Sequence, residues 1–128
     1  MNDPAATRHV VGLGGVFIRA RDPRALSDWY RRHLGVPLAP AGGEDPPWEP
    51  AAGPTVFAAF TESSTHLGRP EQRWMLNFRV TDLPGLVRQL RSAGIEVEAD
   101  AEEYAFGRFA RLNDPEGNPI ELWEPSGA

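Results

Sequence analysis

Cysteine is absent from the 128 residues, which excludes disulfides, thiolate nucleophiles and Cys-ligated zinc or iron–sulfur centres. Any metal would be held by His, Asp, Glu or neutral oxygen donors, and histidine is scarce: His9, His33 and His66 make up the whole set. Lysine is absent too. All 13 basic residues are arginine, set against 18 acidic ones, for a formal net charge of -5 and a pI of about 5.1. That balance argues against a strongly basic nucleic-acid surface, and the all-arginine set hints at a GC-rich, bacterial genome. No apolar run approaches the length of a membrane span, and the polar start Met1 to Arg8 lacks the charged-then-apolar order of a signal peptide. A cytoplasmic protein with no nucleic-acid or membrane partner is the expectation.

What is present suits one domain spanning 1–128, because a chain of this length with 41% hydrophobic residues can bury a sizeable core. Glycine and proline, 13 of each, cluster between Pro37 and Pro54 and between Gly68 and Pro70. Both stretches read as loops, and the first, with Gly42-Gly43 and Pro46-Pro47, is long enough to be functional. Short apolar runs typical of strands lie at Val10-Val11, Val16 to Ile18, Val56 to Phe60, Met75 to Val80, Phe106 to Leu112 and Ile120 to Trp123.

Two helices are signalled between these runs. Asp22 serves as N-cap and Pro23 as first residue of one, which carries Leu26, Trp29, Tyr30, His33 and Leu34 at helical spacing and stops at Gly35. Asp82 caps the other, Pro84 sits in its first turn, Leu86, Val87, Leu90 and Ala93 form its apolar face, and Gly94 ends it. Short apolar stretches follow, Val36 to Leu38 and Ile95 to Val97. Laying Asp22 on Asp82, an offset of 60 residues, puts Leu26 on Leu86 and Ala20 on Val80 and leaves Gly35 one place from Gly94. The chain therefore reads as a duplicated βαβββ unit, closed by a hairpin around Asp114-Pro115-Glu116-Gly117-Asn118. Gly12-Leu13-Gly14-Gly15 does not make a dinucleotide loop, since the third glycine would fall at Phe17 and no helix starts there.

Four segments carry a family resemblance: Gly15-Val16-Phe17-Ile18-Arg19-Ala20-Arg21-Asp22; Trp29-Tyr30 with Leu34-Gly35; Asn77-Phe78-Arg79-Val80 with Asp82-Leu83; and Asp114-Pro115-Glu116-Gly117-Asn118-Pro119-Ile120-Glu121-Leu122-Trp123. With them the chain resembles the vicinal oxygen chelate superfamily, which includes glyoxalase I, bleomycin resistance proteins, fosfomycin resistance enzymes and extradiol dioxygenases. The resemblance runs from about Val11 to Pro125, and the last segment is its most specific part. It implies an α+β fold in which two tandem βαβββ modules, about 11–68 and 74–125, form a half-open barrel around a cavity. It also implies a divalent metal bound by a His or Gln on the first strand, a His on the first strand of the second module and a Glu on the final strand. Those positions are Gly15, Met75 and Glu121 here, and Ala58-Ala59 stands where glyoxalase I has a further Glu. Glycine offers no donor and a thioether suits hard or borderline divalent ions poorly. No resident metal is therefore expected, and Glu121 is the only residue at a family ligand position. A divalent ion would need ligands from elsewhere, such as His66 or a partner chain.

Strand alternation places Phe17 and Arg19 with Gly15, and Asn77 and Arg79 with Met75. A symmetric hairpin centred near Glu116 pairs Arg111 with Glu121 and Phe109 with Trp123. An arginine beside Glu121 would occupy its lone pairs and weaken it as a base or metal ligand. Glu121 is then a structural ion pair, a ligand anchor, or a catalytic residue. Tyr104 and Arg108 suit an anionic or hydroxylated ligand at a pocket mouth, and equally a dimer contact. His66 is the alternative base, in a loop that also suits a plain solvated histidine; Trp48, in Pro46-Pro47-Trp48-Glu49-Pro50, covers the pocket or seals a dimer.

The first expectation is a small-molecule-binding protein, used for sequestration or resistance. Phe17, Phe57, Trp74, Phe109 and Trp123 line its apolar cavity, with polar handles at Arg19, Asn77, Arg79, Arg111 and Glu121. The alternative is a metal-dependent lyase, isomerase or dioxygenase of the glyoxalase type, and a third reading is metal-free acid–base catalysis by Glu121 or His66. The family resemblance implies a homodimer, in some members with modules exchanged between chains.

Overall fold

The computed structural model describes residues 9–37 and 46–127; Leu38, the end of one expected apolar stretch, and the loop glycines Gly42-Gly43 lie outside them. Helix α1 (Pro23–Leu34) begins and ends where the local chemistry directs. The Asp22 carboxylate accepts from the Ala25 N–H at 3.1 Å, Pro23 needs no hydrogen-bond partner, and Gly35 takes the left-handed φ of 71° that closes the last turn. Helix α2 (Leu83–Ser92) is capped in the same way by Asp82, which accepts from the Gly85 N–H. The Leu83 N–H donates to Glu124 Oε1 at 2.9 Å, so a carboxylate from the far end of the chain satisfies a second orphan donor.

Strands β1 (Leu76–Arg79), β2 (Glu98–Ala99), β3 (Gly107–Asn113) and β4 (Pro119–Pro125) form one unclosed sheet in the order β1-β4-β3-β2. β1 runs parallel to β4, and the other pairings are antiparallel. With α2 between β1 and β2, the second half of the chain is one βαβββ unit. Both helices cover a single face of this sheet: Leu26, Tyr30, Leu83, Val87 and Leu90 pack on Ala110, Leu112, Ile120 and Leu122. Ile120 and Leu122 are fully buried, each worth about 2 kcal/mol of transfer free energy.

Among the described residues the first half contributes a helix and no ladder. The expected strands at Val10-Val11, Val16 to Ile18 and Val56 to Phe60 are not hydrogen-bonded strands, and Val11, Phe17 and Phe57 are 99%, 96% and 92% exposed. The physical reason is that a strand exists only where its N–H and C=O groups meet a neighbour, and among the described residues none lies beside them.

The Asp114-to-Asn118 turn ties the two halves together. Asp114 is buried and accepts from the Tyr30 hydroxyl at 2.7 Å, from the Glu116 and Asn118 N–H groups at 2.8 and 3.0 Å, and from the Asn118 amide at 2.7 Å. Glu116 reaches back to the entry of α1 and accepts from the N–H groups of Arg21 at 2.8 Å and Asp22 at 3.0 Å. These bonds, the Arg21 one first, hold the Glu116 carboxyl below its ordinary value of 4.5. Because the folded value is depressed, the stabilisation is complete above the ordinary value and is lost as pH falls through the lowered one. Melting temperatures of wild type and Glu116→Gln are expected to differ near neutral pH and to converge in acid. A gap that stays constant through the acid range would show that the clasp does not act through the carboxylate.

Candidate functional site

Side chains alternate across a strand, so the residues opposite the buried face share the other face of the sheet. The register sorts them into two rows. Asn77, Glu121, Arg111 and Glu98 stand side by side across β1, β4, β3 and β2, and Arg79, Trp123 and Phe109 form the next row. The rows lie about 7 Å apart, two residues along a strand.

The first row is polar and already internally paired. Glu121 accepts from Asn77 Nδ2 at 2.8 Å and lies 3.3 Å from His66 Nε2, its side chain only 12% exposed. His66 comes from the turns between Thr61 and Gln72, and its ring stacks on Phe60, with centroids 4.9 Å apart and planes 5° from parallel. Arg111 is the direct cross-strand neighbour of Glu121, yet the expected ion pair between them is not formed. Its guanidinium donates to the His66 backbone carbonyl instead. The 60s turn thus separates the two charges: its carbonyl takes the guanidinium, and its imidazole shares the carboxylate with an amide.

The second row is aromatic. Trp123 lies parallel to Phe109, with centroids 6.2 Å apart and 4° between planes, and its indole N–H donates to the Phe106 carbonyl at 2.9 Å. Phe106 and Tyr104 extend the cluster, both within 6.0 Å of Phe109 by ring centroid. The Tyr104 hydroxyl donates to Asp100 at 2.9 Å, and that bond, more than desolvation, pushes its pKa above the usual phenol range. At the other end of the row Arg79 donates to the Ala51 carbonyl at 2.9 Å and lies against Gly53.

The structure therefore brings Asn77, Arg79, Phe109, Arg111, Glu121 and Trp123 onto one face, with Tyr104 at its rim. Phe17, Arg19 and Phe57 are exposed, the two phenylalanines almost completely, and among the described residues no hydrogen bond or ring contact joins them to this face. Trp74 precedes β1 and is exposed. Arg108 belongs to the opposite face, across from Glu124, with its guanidinium 3.7 Å from Glu103 and 3.8 Å from Glu124. Phe60 and Phe106 carried no sequence signal for the site. Two open concavities lie elsewhere, one between Trp29 and Asn113 and one around Arg108 and Gly127.

Among the described residues no three His, Asp or Glu side chains converge as a metal-holding group. Among the described residues His66 and Glu121 supply two neighbouring donors, where a tightly held zinc-type ion takes three or four protein ligands. No helix among the described residues is long and apolar enough to cross a membrane.

A comparison with curated proteins finds no match. Among solved structures, the chain is similar to TnmS3, an antibiotic binding protein from Streptomyces sp. CB03234, with 25% identity and a TM-score of 0.55 over 85% of this chain and 91% of that one. Residues 15–123 match the glyoxalase-like domain family. Since that match spans most of the chain, from before α1 to the end of the hairpin that carries Glu121 and Trp123, the protein belongs to the glyoxalase-like domain family, within the vicinal oxygen chelate superfamily.

Proposed function

We propose that this protein binds a small planar aromatic molecule on the open face of its sheet and sequesters it, in a resistance role, with a metal site that has degenerated to Glu121. One observation carries the reading: the half-buried Phe109 ring, backed by the parallel and nearly buried Trp123, stands one row from Asn77, Glu121 and Arg111. An apolar platform with a few convergent polar groups is the usual make-up of a small-molecule site, and aromatic rings hold planar ligands by stacking. The similarity to an antibiotic binding protein supports sequestration as the use of this fold.

The same face is half of a cavity, and a homodimer is part of the proposal. Val11, Phe17, Val56 and Phe57 are exposed apolar side chains on stretches with no strand partner among the described residues, and β1 is an edge strand of the sheet. An apolar surface of that kind is unstable on a monomer. A second copy would give residues 11–68 the neighbours they need to form the first of two tandem modules and would close the face into a half-open barrel.

The test is to titrate a panel of planar aromatic compounds into purified protein while following the Trp123 indole N–H resonance, with light scattering on the same samples. Binding is expected, weakened about tenfold in Phe109→Ala, as the loss of one aromatic stacking contact predicts. Unchanged affinity in that variant would move the site off this face, and a monomer mass across a wide concentration range would remove the dimer.

A further inference from the structure

We infer that His66 is the hydrogen-bond acceptor for a hydroxyl on the bound aromatic, a role that rests on the open face being a binding site and that names hydroxyarenes as its ligand class. A neutral imidazole has one N–H and one lone-pair nitrogen, and its neighbours decide which is which. Glu121 Oε2 lies 3.3 Å from Nε2, and a carboxylate beside a ring nitrogen favours the proton on that nitrogen. The lone pair then resides on Nδ1. Among the described residues no hydrogen bond reaches Nδ1, and the side chain is 37% exposed, so a ligand can approach it.

His66 is held as a built part of the face, unlike a solvated loop residue. Its ring stacks on Phe60, its backbone carbonyl accepts from Arg111, its backbone N–H donates to Ser64 Oγ at 3.1 Å, and Asn77 fixes the carboxylate it faces. An acceptor ordered in advance gives up little entropy when it is used. Glu121, which His66 faces, stands one row and about 7 Å from Phe109 on the same face, a spacing that a fused two-ring ligand stacked on Phe109 spans.

The charges around this acceptor select among substituents. Glu121 opposes a ligand carboxylate that Arg79 and Arg111 attract, and the two arginines oppose a cationic amine that Glu121 attracts, so a charged substituent gains from one sign and loses to the other. An ether or ketone has no proton to give to Nδ1. A neutral hydroxyl donates one without bringing charge, which leaves it as the group this arrangement recognises.

The probes are 2-naphthol and 2-methoxynaphthalene, which present the same ring with and without the donor. Their affinities for full-length protein are read from the Trp123 indole resonance. The expected wild-type result is 2-naphthol bound about fivefold more tightly, the size of one net hydrogen bond, with the ratio falling to about one in His66→Phe, which keeps a ring for Phe60 to stack on. Long-range proton–nitrogen spectra of unliganded wild type should show His66 protonated on Nε2, a readout that needs no variant. Equal affinities in wild type, a ratio that survives His66→Phe, or a proton on Nδ1 would each overturn the role of His66 and leave aromatic binding standing. If neither probe shifts Trp123, the binding reading fails and the inference with it.

Discussion

Replacing Asp114 by alanine is expected to destabilise the fold by about 3–5 kcal/mol, because one carboxylate answers four donors, three in its own turn and one, the Tyr30 hydroxyl, in the other half of the chain. The turn N–H groups lie near the surface and can return to water. The Tyr30 hydroxyl cannot, since Tyr30 is only 7% exposed and its ring packs edge-on against both Trp29 and Phe78. Burial first, and the Asp114 carboxylate second, push the Tyr30 phenol well above its ordinary range, so it remains a donor at any working pH and would be left buried without an acceptor. A domain stable by about 5–15 kcal/mol would become marginal. Urea denaturation of wild type, Asp114→Ala and Asp114→Asn measures this, with asparagine recovering much of the loss through its amide oxygen. Adding Tyr30→Phe to Asp114→Ala should restore part of the stability, as removing both partners of a buried bond costs less than removing one. An alanine variant within about 1 kcal/mol of wild type would mean that the turn is not the joint between the halves.

Gly107→Ala is expected to cost about 3 kcal/mol and to disorder the aromatic row. Gly107 has a φ of 134°, a region that residues with a Cβ avoid. An added methyl would collide with the Glu124 carbonyl and lie 2.7 Å from Trp123 Nε1 and 3.0 Å from the Pro125 Cα. Two of these neighbours are backbone in the paired β4 strand, so relief must come by splaying the hairpin end or expelling the indole. Either movement breaks the bond from Trp123 to the Phe106 carbonyl and the parallel alignment with Phe109. Thermal melting and the near-ultraviolet circular dichroism of the tryptophans read both effects in one sample. An unchanged Trp123 signal in a stable Gly107→Ala protein would show that the indole is not seated by this glycine.

Much of this molecule was legible in its sequence because many of its decisions are local. Helix ends follow from residues within one turn: Asp22, Pro23 and Gly35 for α1, and Asp82 for α2. The hairpin register follows from the turn it crosses, which is why Arg111 opposite Glu121 and Phe109 opposite Trp123 could be written down from spacing. Strand alternation then places Asn77, Arg79, Phe109, Arg111, Glu121 and Trp123 on one face. It also shows why Arg108, one residue from Phe109, turns away to Glu124.

Spacing could not say what those side chains would bond. Arg111 has a carboxylate as its neighbour and takes a carbonyl 45 residues away; Glu121 faces an arginine and is shared by an amide and an imidazole. Only the folded chain brings the 60s turn over the sheet, because choosing among competing partners depends on distance through space. The apolar runs of the first half mark the opposite limit. Their strand-like composition is plain in the sequence, yet Val11, Phe17 and Phe57 stand exposed, since strand pairing is a property of two neighbours and the described residues provide one.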